Sequence, residues 1–81
     1  PFNPVKNIRF DLPVDADVSI SVFNSRGQLV TELTSGNYPA GYHFVKWNGT
    51  DLHGVSVSSG VYIYSVKAGN FHTVRKMLLV K

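Results

Sequence analysis

Three histidines, His43, His53 and His72, are the side chains of this 81-residue chain best suited to hold a transition metal. Zinc sites draw imidazole or thiolate ligands at short fixed spacings, such as paired histidines one helical turn apart or a Cys-x-x-Cys pair. None of the three histidines stands at such a spacing, and cysteine is absent. His43 alternates with Val45 and Trp47, which reads as a hydrogen-bonded, partly buried side chain. His53 falls in a turn and His72 on a strand surface. Two oxygen-rich groups, Asn48/Thr50/Asp51 and Asp11/Asp15/Asp17, lack the D-x-[DN]-x-[DN]-G order of a calcium loop. Asp and Asn in such places bond their own backbone in turns. Serine is plentiful, but there is no G-x-S-x-G elbow to present a nucleophile, and a chain of this length has little room for a sheltering pocket. The residues therefore predict no catalysis, no metal and no cofactor.

Two surface chemistries remain. Tyr38, Tyr42, Phe44 and Phe71 are candidates for a sugar-stacking platform, with Tyr42 and Phe44 on the outward side of their strand. The cations Lys6, Arg9, Arg26, Lys46, Lys67, Arg75, Lys76 and Lys81 are spread along the chain. Nucleic-acid binders cluster more of them, so no nucleic-acid partner is expected. Arg75, Lys76 and Lys81 bracket an apolar run, a placement that guards an edge strand against aggregation.

The elements that carry these residues are strands. Eighty-one residues make one domain with one modest core. Net charge is +3, charged residues are 16%, and no disulfide reinforces the core. The surface must then be rich in Ser, Thr, Asn and Gly, as is common outside cells. No apolar run approaches the roughly 20 residues that span a bilayer. Pro1-Phe2-Asn3-Pro4 reads as linker, which predicts residues 1–6 as a tether from an upstream domain and 7–81 as the folded unit.

Apolar residues alternate at Ile8, Phe10 and Leu12, then at Val18, Ile20 and Val22, which is the period of a half-buried strand. Residues 29–33 break alternation, and a bulge near Thr31 or Glu32 would place Val30 and Leu33 on one face. Residues 34–41 read as a loop. In 42–47 the Val45/Trp47 side is taken for the core. Asn48 to Gly60 must cross between sheets, with a short strand at 55–57. Residues 61–68 form a central strand with Tyr62, Tyr64 and Val66 inward, and its apolar start predicts cover on both faces. Gly69-Asn70 turns it into a last strand over 71–80. Gly27, Gly41, Gly49, Gly54 and Gly60 mark the turns. Seven short strands with regular turn signals predict an all-β, immunoglobulin-like antiparallel sandwich. Its expected core is Ile8, Phe10, Leu12, Val18, Ile20, Val22, Val45, Trp47, Tyr62, Tyr64 and Val66.

These motifs carry a resemblance. Pro1-Phe2-Asn3-Pro4 with Ile8-Arg9-Phe10-Asp11-Leu12 resembles the opening of type IX secretion system C-terminal domains, which are related to the immunoglobulin-like domain of the flagellar hook-capping protein. The segments Val22-Phe23-Asn24-Ser25-Arg26-Gly27, Pro39-Ala40-Gly41-Tyr42-His43, Trp47-Asn48-Gly49-Thr50-Asp51 and Ser59-Gly60-Val61-Tyr62-Ile63-Tyr64 follow in the family's order. Lys76-Met77-Leu78-Leu79-Val80-Lys81 resembles its ending. Where the family has Thr after Asn-Pro, this chain has Val5-Lys6-Asn7.

The resemblance implies a non-catalytic address at the end of a secreted protein. Its partners would be the outer-membrane secretion machinery, a sortase-like peptidase and, for anchored cargo, an anionic lipopolysaccharide. The cargo would be delivered to the cell surface or exterior. Lys76, Met77, Leu78, Leu79, Val80 and Lys81 would be the recognised signal. The alternatives are a hook-capping-like scaffold domain for assembly and an accessory carbohydrate-binding module.

Overall fold

The computed structural model describes residues 5–81. The linker reading of Pro1 to Pro4 lies outside them, and the strand begins one residue inside the expected tether, at Lys6. Six strands follow in order: β1 (Lys6–Leu12), β2 (Ala16–Asn24), β3 (Leu29–Tyr38), β4 (Gly41–Trp47), β5 (Gly60–Ala68) and β6 (Phe71–Leu79). They form two antiparallel sheets, one of order β1-β4 and one of order β3-β2-β5-β6. The all-β sandwich expected from alternation is the architecture found.

The count is six strands because residues 55–57 do not form one. Only an isolated bridge, Thr50 to Ser56, stands there. The Asp51 carboxylate accepts the amides of His53 and Val55 at 2.9 and 3.0 Å. That turn consumes the donors a strand would use. The supposed loop at 34–41 is instead mostly strand. β3 continues to Tyr38 and pairs Gly36 with Val18 and Tyr38 with Ala16. Its end is held by Tyr38, whose hydroxyl shares a 2.6 Å hydrogen bond with Thr34 Oγ1.

The bulge expected in β3 is double. Pairing jumps from Ile20–Thr34 to Ser21–Glu32, and from Val22–Thr31 to Phe23–Leu29. Leu33 and Val30 are thereby left without partners opposite β2, and both turn toward the core. Two extra residues let one strand present apolar side chains that strict alternation would have sent outward.

The core has two parts. Ile8, Leu12, Val18, Ile20, Val66 and Ala68 form one. Val22, Val30, Trp47, Tyr62 and Leu79 form the other. Phe10, Val45 and Tyr64, expected inside, are half-buried and pack against these clusters from the rim. Trp47 is the largest fully buried side chain. Its ring meets Tyr62 edge-on at 5.1 Å and its indole N–H donates to the Thr50 carbonyl at 2.9 Å. β5 is central in its sheet, between β2 and β6, but its outer face is open: Val61 is exposed.

Candidate functional site

β6 is an edge. It pairs with β5 through nine consecutive residue pairs, from Gly60–Leu79 to Ala68–Phe71, with no shift of register. Its other flank has no strand among the described residues. The opposite edge, β3, is bent by its two bulges. A long, unbulged edge presents a row of free backbone donors and acceptors.

The side chains of β6 alternate. Phe71, Thr73, Arg75, Met77 and Leu79 lie opposite the inward residues Ala68, Val66, Tyr64, Tyr62 and Gly60 of β5 and its start. Burial is uneven along this row, with Thr73 half-buried and Arg75 exposed. Leu79 is fully enclosed, Met77 half-buried and Phe71 62% exposed. The cause is the unequal width of the sheets. The small sheet has two strands and the large sheet four. The smaller one ends before it covers the first half of β6. A hollow of about 240 Å³ results, with Phe10, Asp11 and Leu12 on the β1 side and Phe71, Thr73 and Arg75 on the β6 side.

The expected signal residues divide accordingly. Leu78 and Val80 are exposed apolar side chains, and Lys76 and Lys81 are exposed cations. Lys81 is tied down: its amide donates to Ser59 Oγ at 3.1 Å and its ammonium contacts Ser56 Oγ. Leu79 departs from expectation. It is 0% exposed and packs with Trp47, so it holds the strand to the core and no partner can touch it in the folded domain. The cause is position: Leu79 lies opposite Gly60 at the end of the strand, where Val22, Val30, Trp47 and Tyr62 enclose it.

The other candidates are dispersed. His43 lies tilted against Phe10 at 5.3 Å and edge-on to Tyr38 at 5.1 Å, and its Nε2 donates to the Pro39 carbonyl at 2.7 Å. His53 is in the β4–β5 connection and His72 is exposed on β6. Among the described residues no three His, Asp or Glu side chains gather as a metal site. Tyr42 and Phe44 are exposed on the outer face of the small sheet, opposite Asp11 and Arg9 across the β1–β4 pair. They border an open depression of about 530 Å³. The outward orientation read from the sequence is the one found.

The Asp51 turn perturbs its own carboxylate. The His53 amide, and after it the Val55 amide, hold its carboxyl below the ordinary value of 3.8. Both donors are local backbone, so this is turn chemistry.

Comparison with known proteins decides the family. Residues 3–71 match the family model described as FlgD Ig-like domain. The chain belongs to that family. The crystal structure of FlgD from P. aeruginosa is similar, with a TM-score of 0.74 at 22% identity; the match covers 94% of this chain and 61% of that one. No curated protein matches this chain. The match of this FlgD Ig-like domain to its family ends at Phe71, so most of β6 and the 76–81 segment lie beyond it.

What the sequence missed is the hollow. Phe71 was visible as a candidate aromatic, and Arg75 as a guard of the edge. That both face inward past the end of a narrower sheet follows from strand order, which alternation does not encode.

Proposed function

We propose that this FlgD Ig-like domain is a non-catalytic binding and assembly module, a hook-capping-like scaffold domain of a larger protein. The observation that carries the reading is the family match over residues 3–71. The surface agrees with it. Its salient features are an open sheet edge and exposed apolar side chains, which are the means by which β domains hold other chains. The test compares the full-length protein with a version lacking residues 7–81. Deletion is expected to abolish incorporation into its assembly, read by size-exclusion chromatography and cross-linking. Unchanged incorporation would refute the scaffold reading.

A second reading is favoured by the ordered motifs and by the exposure of Lys76, Leu78 and Val80 within the 76–81 motif. It is a type IX sorting domain, recognised by outer-membrane machinery, cut by a sortase-like peptidase and carrying cargo to the cell surface or exterior. An anionic lipopolysaccharide would receive anchored cargo. A reporter fused ahead of Pro1 would then be exported by a type IX-competent cell. Removing residues 76–81 also removes Leu79 from the core, so the informative changes are Leu78→Ser and Val80→Ser. Export that persists in both would count against this reading.

A further inference from the structure

We infer that β6 is a docking edge for an acidic extended segment of a partner protein, which adds as a fifth strand to the large sheet and sends a side chain into the hollow between β1 and β6. The inference rests on the reading of this domain as a binding module and names the chemistry of what it binds.

Charge selects the occupant. All five acidic residues lie at or before Asp51, so residues 52–81 carry Lys67, Arg75, Lys76 and Lys81 with no Asp or Glu. Natural edges are blunted by bulges, by proline or by charge. β6 has no bulge against β5 and no proline. Its protection is positive charge alone. That device repels a second β6 laid against it, because like charges on neighbouring strands are unfavourable. It does not repel a strand bearing carboxylates; for such a strand Arg75 and Lys76 become partners.

Shape points the same way. Arg75 faces the hollow side of the sheet and Lys76 the opposite side, since neighbours on a strand alternate. A strand laid along β6 therefore meets a cation on each face. On the hollow side it also meets the exposed ring of Phe71, with Phe10 and Leu12 across the gap. Asp11 stands on the far wall, on β1. The preferred segment thus alternates, with apolar side chains entering the hollow beside Phe71 and Glu or Asp on the opposite face beside Lys76, while Arg75 adds to the positive field along the edge. Main-chain bonds to the edge supply affinity and the alternate side chains supply selectivity. The β3 edge offers a poorer template. It is bulged twice, and its charged residue is Glu32.

The test uses this chain labelled with ¹⁵N and peptides of about nine residues, the length of the edge. One alternates Val with Glu, one alternates Val with Lys, and a third is the Val/Glu peptide with alternate amides N-methylated. The Val/Glu peptide is expected to shift the amides of Phe71–Leu79 and slow their exchange. The Val/Lys and N-methylated peptides should bind at least about tenfold more weakly, and Arg75→Glu with Lys76→Glu should reverse the charge preference. Both residues are exposed, and a melting curve for the double variant checks its fold. Equal binding of acidic and basic peptides, shifts confined to β3 or the β1–β4 face, insensitivity to N-methylation, or no binding at all would overturn the inference. If the peptides fail while deletion of residues 7–81 still abolishes assembly, strand addition falls and the scaffold reading stands. If that deletion leaves assembly intact, the scaffold reading itself has failed.

Discussion

Trp47 and Tyr62 meet edge-on, 5.1 Å apart, and each fixes its polar end on the connection that joins their strands. The indole N–H donates to the Thr50 carbonyl at 2.9 Å and the Tyr62 hydroxyl to the Ser58 carbonyl at 2.6 Å. One aromatic pair thus closes the core and pins both ends of the crossing between sheets. A domain of this size has a total stability of only about 4–12 kcal/mol. Trp47→Ala is expected to cost about 3–5 kcal/mol, leaving little folded protein at moderate denaturant. Trp47→Phe keeps a ring but leaves the Thr50 carbonyl without its donor, and should cost about 1–3 kcal/mol. Urea midpoints of the two variants check the order.

Adjacent residues at the end of β6 should behave as opposites. Leu79 is enclosed against Trp47, whereas Leu78 and Val80 stand in solvent. Leu79→Ala should destabilise the domain by about 2–5 kcal/mol through lost burial and the cavity left behind. Leu78→Ala and Val80→Ala should stay within about 0.5 kcal/mol of the parent. Thermal melts of the three variants measure this, and equal losses would contradict the burial pattern.

Alternation made much of this fold legible. Ile8, Val18, Ile20, Val22 and Val66 point inward as their period demands, and Trp47 is buried as its face predicts. Departures occur where a side chain or a sheet boundary overrides the local pattern. The polar residues 34–38 read as loop because hydroxyls and glycine favour turns, yet pairing with β2 extends them. Val55 and Val57 read as strand, yet the Asp51 carboxylate closes a turn that ends on Val55, and only the single bridge at Ser56 remains. Leu79 reads as one more exposed member of an apolar tail; its burial comes from packing with Val22, Val30, Trp47 and Tyr62, residues distant in the chain that its own segment does not reveal. At the candidate site the sequence exposed the cationic guard and the edge strand. The hollow beside it follows from a two-stranded sheet lying over a four-stranded one, a difference no single strand records.

Acid should weaken the β4–β5 connection in a defined way. The His53 and Val55 amides stabilise ionised Asp51, so its folded pKa lies below its unfolded one. A depressed carboxyl contributes stability in full above its unfolded pKa, near 4, and loses it as pH falls through the folded value. Asp51→Asn should therefore be less stable than the parent at neutral pH, with the difference shrinking below about pH 4. Melting temperatures of the pair across pH 2–7 check the sign. A gap that widened in acid would contradict it.

Gly49 separates two kinds of constraint. It is buried, its φ is +77°, and an added Cβ would stand 3.5 Å from Leu79 Cδ2. That distance is ordinary contact, so space does not forbid alanine. Backbone conformation does the penalising, because a Cβ in the left-handed region costs about 1–2 kcal/mol. Gly49→Ala should therefore cost about 1–2 kcal/mol, with none of it recovered by shrinking the neighbour. In a double-mutant cycle with Leu79→Ala, a clash would show as partial rescue, since the smaller side chain makes room. Backbone strain predicts instead that the two losses add to within about 0.5 kcal/mol, even though the residues touch. Denaturant midpoints of the two single variants and the double variant distinguish the cases.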